Sequence, residues 1–437
     1  MTNLHPVLEE KLSAAIGLRS PRATIRDTQL PSVKGKVHAV VGMRRAGKTT
    51  YLFQLHSERL LQAQPPEATL YINFEDDRLV DLPLTQMDSL LEAYYRRYPR
   101  NRGQQTVTWL LDEIQVVHGW ERFVRRILDT EQVEVVVSGS SARLLSREVH
   151  TSLRGRGTET IIRPFSFREY LRHHEAEPAA SALTLTTPER SGVEALLLRY
   201  LETGGFPEAQ SLNRDTRIDL LQGYVETVLF RDVVERHGVS QLTALRWLVR
   251  HLLKNAGGSF SVHRCTRDLR SQGHGVAKDA LHAMFAHLED AFLVRGVALA
   301  TESERRRNSN PRKVYPADPG LITAFDYSGR SNIGHALETA VLHELDRRRA
   351  DIGYVRTSKG TEVDFLAQFR DGRQELIQVC ADTRSSETLQ RELGALRDAA
   401  AEFPRARLRL VVLTFDMIPP DVPPGIGIVP AYRWLLA

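Results

Sequence analysis

Short apolar runs alternate with helix-spaced stretches over the first third of the chain. Val37–Val41, Thr69–Phe74, Val107–Leu111, Val133–Ser138 and Glu159–Ile162 read as strands. Between them, apolar residues recur at helical spacing, as in Leu52, Phe53 and Leu55. That alternation predicts a parallel sheet with helices on both faces over residues 31–165, after a helical lead-in over 1–30. Residues 166–240 read as mainly helical, broken by the Pro/Ala/Ser/Thr-rich stretch Glu177–Ser191 and by Gly204-Gly205-Phe206-Pro207.

From 241 the period changes again. Leu242, Leu245, Leu248/Val249 and Leu252/Leu253 mark one helix; Val262, Cys265 and Leu269 a second; Val276, Ala280/Leu281, Met284 and Leu288 a third. Phe292–Ala298 and Val314–Tyr315 then pair as strands around a charged hairpin. Helix, helix, turn, helix, hairpin is the order of a winged helix-turn-helix over 241–330. Residues 331–437 form a last α/β unit. It has a helix at Leu337–Arg348, strands at Gly353–Arg356, Glu362–Gln368 and Glu375–Cys380, and a helix at Glu387–Ala400. A strand at Leu408–Phe415, a Pro-rich surface loop at Pro419–Gly425 and a final strand near Tyr432 complete it.

The chemistry enters at strand ends. Gly42-Met43-Arg44-Arg45-Ala46-Gly47-Lys48-Thr49 is a complete phosphate-binding loop set between a strand and a helix. Its glycines let backbone N–H groups curl toward phosphate oxygens. Lys48 reaches the β/γ-phosphates, the Thr49 hydroxyl holds Mg²⁺, and the helix start at Thr50 adds partial positive charge. Arg45 belongs to the same loop. Val107–Leu111 ends in Asp112-Glu113: one carboxylate to hold Mg²⁺, one to orient the attacking water. ATP and Mg²⁺ are the cofactors this pairing predicts, with hydrolysis rather than simple binding.

Composition narrows the class. The chain has 437 residues, a net charge of +5 and a pI of about 9.2, a mild and mainly arginine excess that permits a nucleic-acid partner without requiring one. Cys265 and Cys380 lie far apart and show no metal-ligand spacing. No run approaches the roughly 20 apolar residues of a membrane span, and no apolar signal core opens the chain. A cytoplasmic protein with no membrane partner is expected.

The hairpin Glu304-Arg305-Arg306-Arg307-Asn308-Ser309-Asn310-Pro311-Arg312-Lys313 carries five cations on a short wing. These side chains are candidates for contact with DNA phosphates or a minor groove. The presumed recognition helix exposes Asp279, His282, His287 and Glu289, with Lys278 its one firm cation. That surface reads guanine edges poorly, so backbone or shape recognition of duplex ends or branches is expected.

Arg44-Arg45, Asn73-Phe74-Glu75-Asp76, Leu111-Asp112-Glu113-Ile114-Gln115 with Gly119-Trp120, and Ser138-Gly139-Ser140-Ser141 resemble the AAA-type ATPases of bacteria and archaea that carry a C-terminal restriction-endonuclease-like domain. Gly204-Gly205-Phe206-Pro207 and Glu362-Val363-Asp364-Phe365 extend the resemblance over nearly the whole chain. It implies an ATPase coupled to a C-terminal endonuclease-like domain; with the residue pattern, the expected domains are an ATPase core (1–165), a helical lid (166–240), the winged helix (241–330) and the endonuclease-like domain (331–437). It implies a polar sensor at Ser138 or Ser140, and an arginine finger from a neighbouring subunit of a homo-oligomeric ring, Arg156 or Arg154. In endonucleases of that fold an acid on the first helix, an acid on the second strand and a Glu-x-Lys pair hold the metal. Glu338 and Asp364 match, but Gln378-Val379-Cys380 stands where Glu-x-Lys belongs, so a degenerate site without nuclease activity is expected. The function these readings favour is a DNA-remodelling or translocating ATPase. A nucleotide-controlled switch with a protein partner is the alternative, ahead of an ATP-dependent nuclease.

Overall fold

The computed structural model describes residues 3–15, 18, 21–31, 33–139, 155–179, 185–326, 332–419 and 424–437. The chain divides into two compact units, residues 1–163 and 164–437.

The first unit comprises α1 (Pro6–Ala14), β1 (Val37–Val41), α2 (Lys48–Leu61), β2 (Thr69–Asn73), α3 (Thr85–Arg97), β3 (Val107–Asp112), α4 (Trp120–Thr130), β4 (Val133–Gly139) and β5 (Gly157–Ile161). All five strands are parallel, in the order β2-β3-β4-β1-β5. β1 and β3 are buried along their whole length, as near-continuous apolar runs in a two-sided parallel sheet must be. Helix α4 shows how the pattern works. Trp120, Phe123, Val124 and Ile127 are buried at helical spacing, while Arg122 and Arg126 face water. Because β4 lies between β1 and β3, the carboxyl ends of three strands meet at one edge.

The expected helical lead-in is shorter than the sequence pattern indicated. Regular α-helix ends at Ala14, and the described residues of 21–31 carry no helix. Pro21, Pro31 and β-branched Thr24-Ile25 disfavour helix there. This segment lies along α2 instead: Arg26 N–H donates to Gln54 Oε1 at 2.8 Å, and the Tyr51 hydroxyl donates to the Thr28 carbonyl at 3.0 Å.

The second unit begins with α5 (Phe167–His173), α6 (Thr187–Thr203) and α7 (Arg214–Val228), which widens into a π-turn at Leu229–Val234. Capping boxes open the first two of these helices, Ser166 with Glu169 and Thr186 with Glu189. Then come α8 (Leu242–Lys254), β6 (Ser259–Phe260), α9 (Val262–Ser271), α10 (Lys278–Asp290), β7 (Val294–Leu299), α11 (Glu304–Ser309) and β8 (Arg312–Pro316). The chain closes with α12 (Gly320–Phe325), α13 (Ile333–Arg347), β9 (Asp351–Arg356), β10 (Glu362–Gln368), β11 (Gln374–Cys380), α14 (Ser386–Glu402), β12 (Arg407–Val412), β13 (Ile426–Pro430) and α15 (Ala431–Leu435).

Two differences from the sequence pattern matter. Arg305, Arg306 and Arg307 sit on the helix α11, capped by the Ser303 hydroxyl, rather than on a hairpin tip. The final strand expected near Tyr432 is β13, ending at Pro430, and Tyr432 itself is buried on α15. The β7–β8 pair also joins the C-terminal strands in one sheet, ordered β13-β12-β11-β10-β9-β7-β8-β6, through a two-residue parallel ladder, Ala298 opposite Gly353 and Leu299 opposite Tyr354.

Gly204-Gly205 is more than a helix break. A Cβ on Gly204 would fall on the Asp318 carboxylate, and one on Gly205 on the Phe165 backbone. Asp318, buried, accepts from Gly205 N–H at 2.6 Å and Gly320 N–H at 2.9 Å. Burial pushes its carboxyl up to about 7, against the pull of those two N–H groups.

Candidate functional site

The crevice at the carboxyl edge of the first sheet is built from three strand ends. β1 delivers the loop from Gly42, whose φ is 150° and whose added Cβ would fall on the Ile162 carbonyl oxygen. Only glycine fits that approach. Gly47 (φ 100°) is the N-cap of α2, and Arg45 (φ 66°) is a non-glycine residue held in the left-handed region. Such backbone strain persists where the surroundings over-determine it, and it clusters at functional sites.

Helix α2 begins with no capping side chain and no acidic residue in its first turn. Its first N–H groups and dipole therefore face the loop unneutralised, which suits an anion. Lys48 is buried; its Nζ donates to the carbonyls of Gly42 at 3.1 Å and Met43 at 3.4 Å and lies 3.8 Å from Glu113 Oε1. Arg44 pairs with Glu75 at 3.0 Å, which joins two of the sequence features that carried the resemblance.

β3 supplies the acids. Asp112 is fully buried; one carboxylate oxygen accepts from the Ser138 hydroxyl and the other from the Tyr71 hydroxyl at 2.9 Å. Burial raises its pKa, while hydrogen bonds from Ser138, Thr49 and Tyr71 oppose the rise. Burial and the Asp112 carboxylate raise the Tyr71 pKa, so Tyr71 remains a donor. Glu113, at φ 52°, is a second non-glycine residue in left-handed backbone. Its N–H donates to Ser138 Oγ at 3.1 Å, and the Gln115 amide donates to its carboxylate.

The fold brings Gly42, Gly47, Lys48, Thr49, Asp112, Glu113 and Ser138, all singled out from the sequence, to one edge, with Arg45 in the loop and Thr50 in the first turn of α2. Ser138 is completely buried, its hydroxyl engaged between Asp112 and the Glu113 backbone. Ser140 and Arg154 lie outside the described residues. Arg156 lies at the opposite edge of the sheet, where its carbonyl accepts from Val37 N–H at 2.8 Å and its guanidinium pairs with Asp129. Tyr71 was missed, because it meets Asp112 only through strand pairing, and Gln115 was named only as part of the Leu111–Gln115 motif, because it meets Glu113 through a local turn. The donor set fits a triphosphate with a divalent cation: an uncapped helix start, one buried ammonium, and a buried carboxylate beside a threonine hydroxyl.

In the second unit, Lys278, Arg305, Arg306, Arg307 and Arg312 are exposed. Two of these are partly neutralised, Arg307 by Glu304 at 3.1 Å and Arg312 by Glu289 at 3.2 Å. Lys313 is not at the surface, contrary to the sequence expectation; it is buried and paired with Glu362 at 2.8 Å and Asp364 at 2.9 Å. Alternation along β8 turns it away from the face of Arg312. Sequence reading also passed over α9, where Arg264, Arg267 and Arg270 are exposed at three-residue spacing opposite buried Cys265, Thr266 and Leu269.

Glu338, Asp364 and Gln378 do come together, but not as free ligands. Gln378 Oε1 accepts from Asp364 N–H at 3.2 Å, and its amide donates to Glu392 at 2.6 Å. Cys380 is a buried thiol, pushed up to about 11 by burial. No group of three or more His, Cys, Asp or Glu among the described residues has metal-site geometry, and no helix among them is long and apolar enough to cross a membrane.

Residues 34–171 match the family model of an AAA domain, and residues 194–332 match a domain of unknown function, DUF8612. An uncharacterized protein of Methanocaldococcus jannaschii is 29% identical over 422 residues, 94% of this chain and 90% of its own length. One of Haemophilus influenzae is 27% identical over 337 residues, covering 77% of this chain and 80% of its own. A Walker-type ATPase of Pyrococcus abyssi, 14% identical, superposes with a TM-score of 0.42 over 73% of this chain and 95% of its own. Strand, phosphate loop, uncapped helix and buried aspartate agree with the family match: residues 34–171 resemble an AAA domain and have the arrangement of a P-loop nucleotide-binding domain.

Proposed function

We propose that this chain is a Mg²⁺-dependent ATPase that works as a homo-oligomer and uses hydrolysis to move or remodel DNA, reading backbone and shape rather than base sequence. The observation that carries the reading is the meeting of Lys48, Asp112 and Glu113 in one crevice, with 3.8 Å between the lysine ammonium and the glutamate carboxylate.

Bound Mg²⁺–ATP would supply the polarised γ-phosphate and the leaving group. The chain's own residues do the rest. The loop N–H groups and Lys48 hold the phosphates; Thr49 and Asp112 would hold the cation. Glu113 orients water, and Gln115 fixes the direction of its carboxylate. Ser138 acts as a positioning residue, tying the side chain of Asp112 to the backbone of Glu113. Arg156, at the far edge from its own phosphate loop, serves a neighbouring copy. The helices α8 to α10 with strands β7 and β8 act as a winged helix. The exposed arginines on α11 and α9 supply phosphate contacts, and the endonuclease-like strands carry no cleavage.

The test is ATP hydrolysis by purified protein with and without duplex or branched DNA, across a salt series. Stimulation by DNA that weakens as salt rises is expected. ATP turnover with no DNA binding at low salt would favour the switch with a protein partner, for which the ion pairs on Arg307 and Arg312 leave room. Absence of turnover would remove the ATPase reading itself.

A further inference from the structure

The carboxylates of the second unit surround a cation that the chain itself provides. Lys313 enters from β8, three places from β10 in the sheet order, yet its Nζ lies 2.8 Å from Glu362 Oε1 and 2.9 Å from Asp364 Oδ1. The other Asp364 oxygen accepts from Val379 N–H at 3.0 Å. Glu338 accepts from the Tyr315 hydroxyl at 3.2 Å, and His335 Nδ1 is 4.0 Å from its other oxygen. The turn at Gly257 closes over them, since a Cβ there would stand 2.8 Å from Glu338 Oε2 and 3.3 Å from the Tyr315 ring.

A divalent cation needs carboxylate lone pairs converging on one point. Here the point of convergence between Glu362 and Asp364 is filled by an ammonium. Ion pairs with Glu362 and Asp364 leave the buried amine facing two carboxylates, an arrangement that holds it as an ammonium. One buried positive charge among carboxylates does the electrostatic work of a metal, and it is tethered.

We propose that the Lys313 ammonium is a built-in replacement for a divalent cation: it fills the point where Glu362 and Asp364 converge, with Glu338 adding its charge from further off, and so closes that point to a metal with the chain's own side chain. It pins β8 to β10 without any metal. Removal of the ammonium, with the carboxylates left in place, opens a site for Mn²⁺ or Mg²⁺.

The experiment is Mn²⁺ titration by electron paramagnetic resonance on the full chain without nucleotide, so that any ion near Asp112 is common to every protein. Wild type, D364N, K313A and K313A/D364N are compared. Wild type and D364N bind equally; K313A gains one Mn²⁺ per chain, and the gain disappears in K313A/D364N. Mn²⁺ also raises the Tm of K313A more than that of wild type. Wild-type Mn²⁺ binding that D364N abolishes overturns the proposal, because the ion would then sit beside Lys313. Folded K313A with no added ion overturns it too. Where K313A does not fold, K313M, which keeps the length of the side chain and leaves every carboxylate in place, is titrated by the same criteria.

Discussion

Single side chains set the chemistry of the crevice. Glu113 is held by a left-handed backbone, a serine at its N–H and a glutamine at its carboxylate. If Glu113 orients the attacking water as proposed, Glu113→Gln should lower kcat about 10²-fold or more while nucleotide affinity stays near wild type. Single-turnover hydrolysis beside equilibrium binding separates the two. Ser138→Ala removes a donor to buried Asp112 and an acceptor for the Glu113 N–H. A stability loss of about 1–3 kcal/mol with reduced kcat is expected; unchanged stability would mean the hydroxyl serves the phosphate instead. Asp318 has a pH signature. Its folded-state value, about 7, lies above the ordinary 3.8. The folded state therefore holds the proton more tightly, and stability from this group is fully present below about pH 4 and lost as pH rises to about 7. Denaturation of wild type and Asp318→Asn across that window should give curves whose difference falls with rising pH and flattens above it.

At the scale of elements, close approach explains more than propensity. Gly42 joins β1 to the loop with no room for a side chain beside Ile162. Gly42→Ala should weaken nucleotide binding by about tenfold or more while the sheet persists, because the loop must open to relieve the overlap. Fluorescent-nucleotide titration with circular dichroism checks both halves. The strands around the loop follow from their apolar runs, and the helix α4 from its spacing. The shortened lead-in and the helix α11 were hidden: proline and side-chain bonding decided the first, and a serine cap with local arginine–glutamate pairing stabilised the second.

At the scale of the whole molecule, Arg156 cannot act on its own phosphate loop from the opposite sheet edge. If it serves a second copy, hydrolysis per chain rises with protein concentration, and mixing Arg156→Ala with Glu113→Gln restores turnover that neither variant has alone. Mixtures no more active than the sum of their parts would exclude the shared site. Arg305→Glu with Arg306→Glu should weaken DNA affinity and flatten its salt dependence, with nucleotide binding intact.

What the chain declares by itself is local. A glycine loop between an apolar strand and a helix, and two acids ending another apolar strand, signal their chemistry because steric and periodic rules act over a few residues. The folded arrangement alone decided which groups those acids meet. Tyr71 reaches Asp112 through strand pairing across 41 residues, and Lys313 reaches Asp364 across 51. The sequence showed Lys313 as one of five surface cations. A one-residue alternation along β8 and the joining of two sets of strands turned it inward, where low dielectric makes a lone charge so costly that it must find partners.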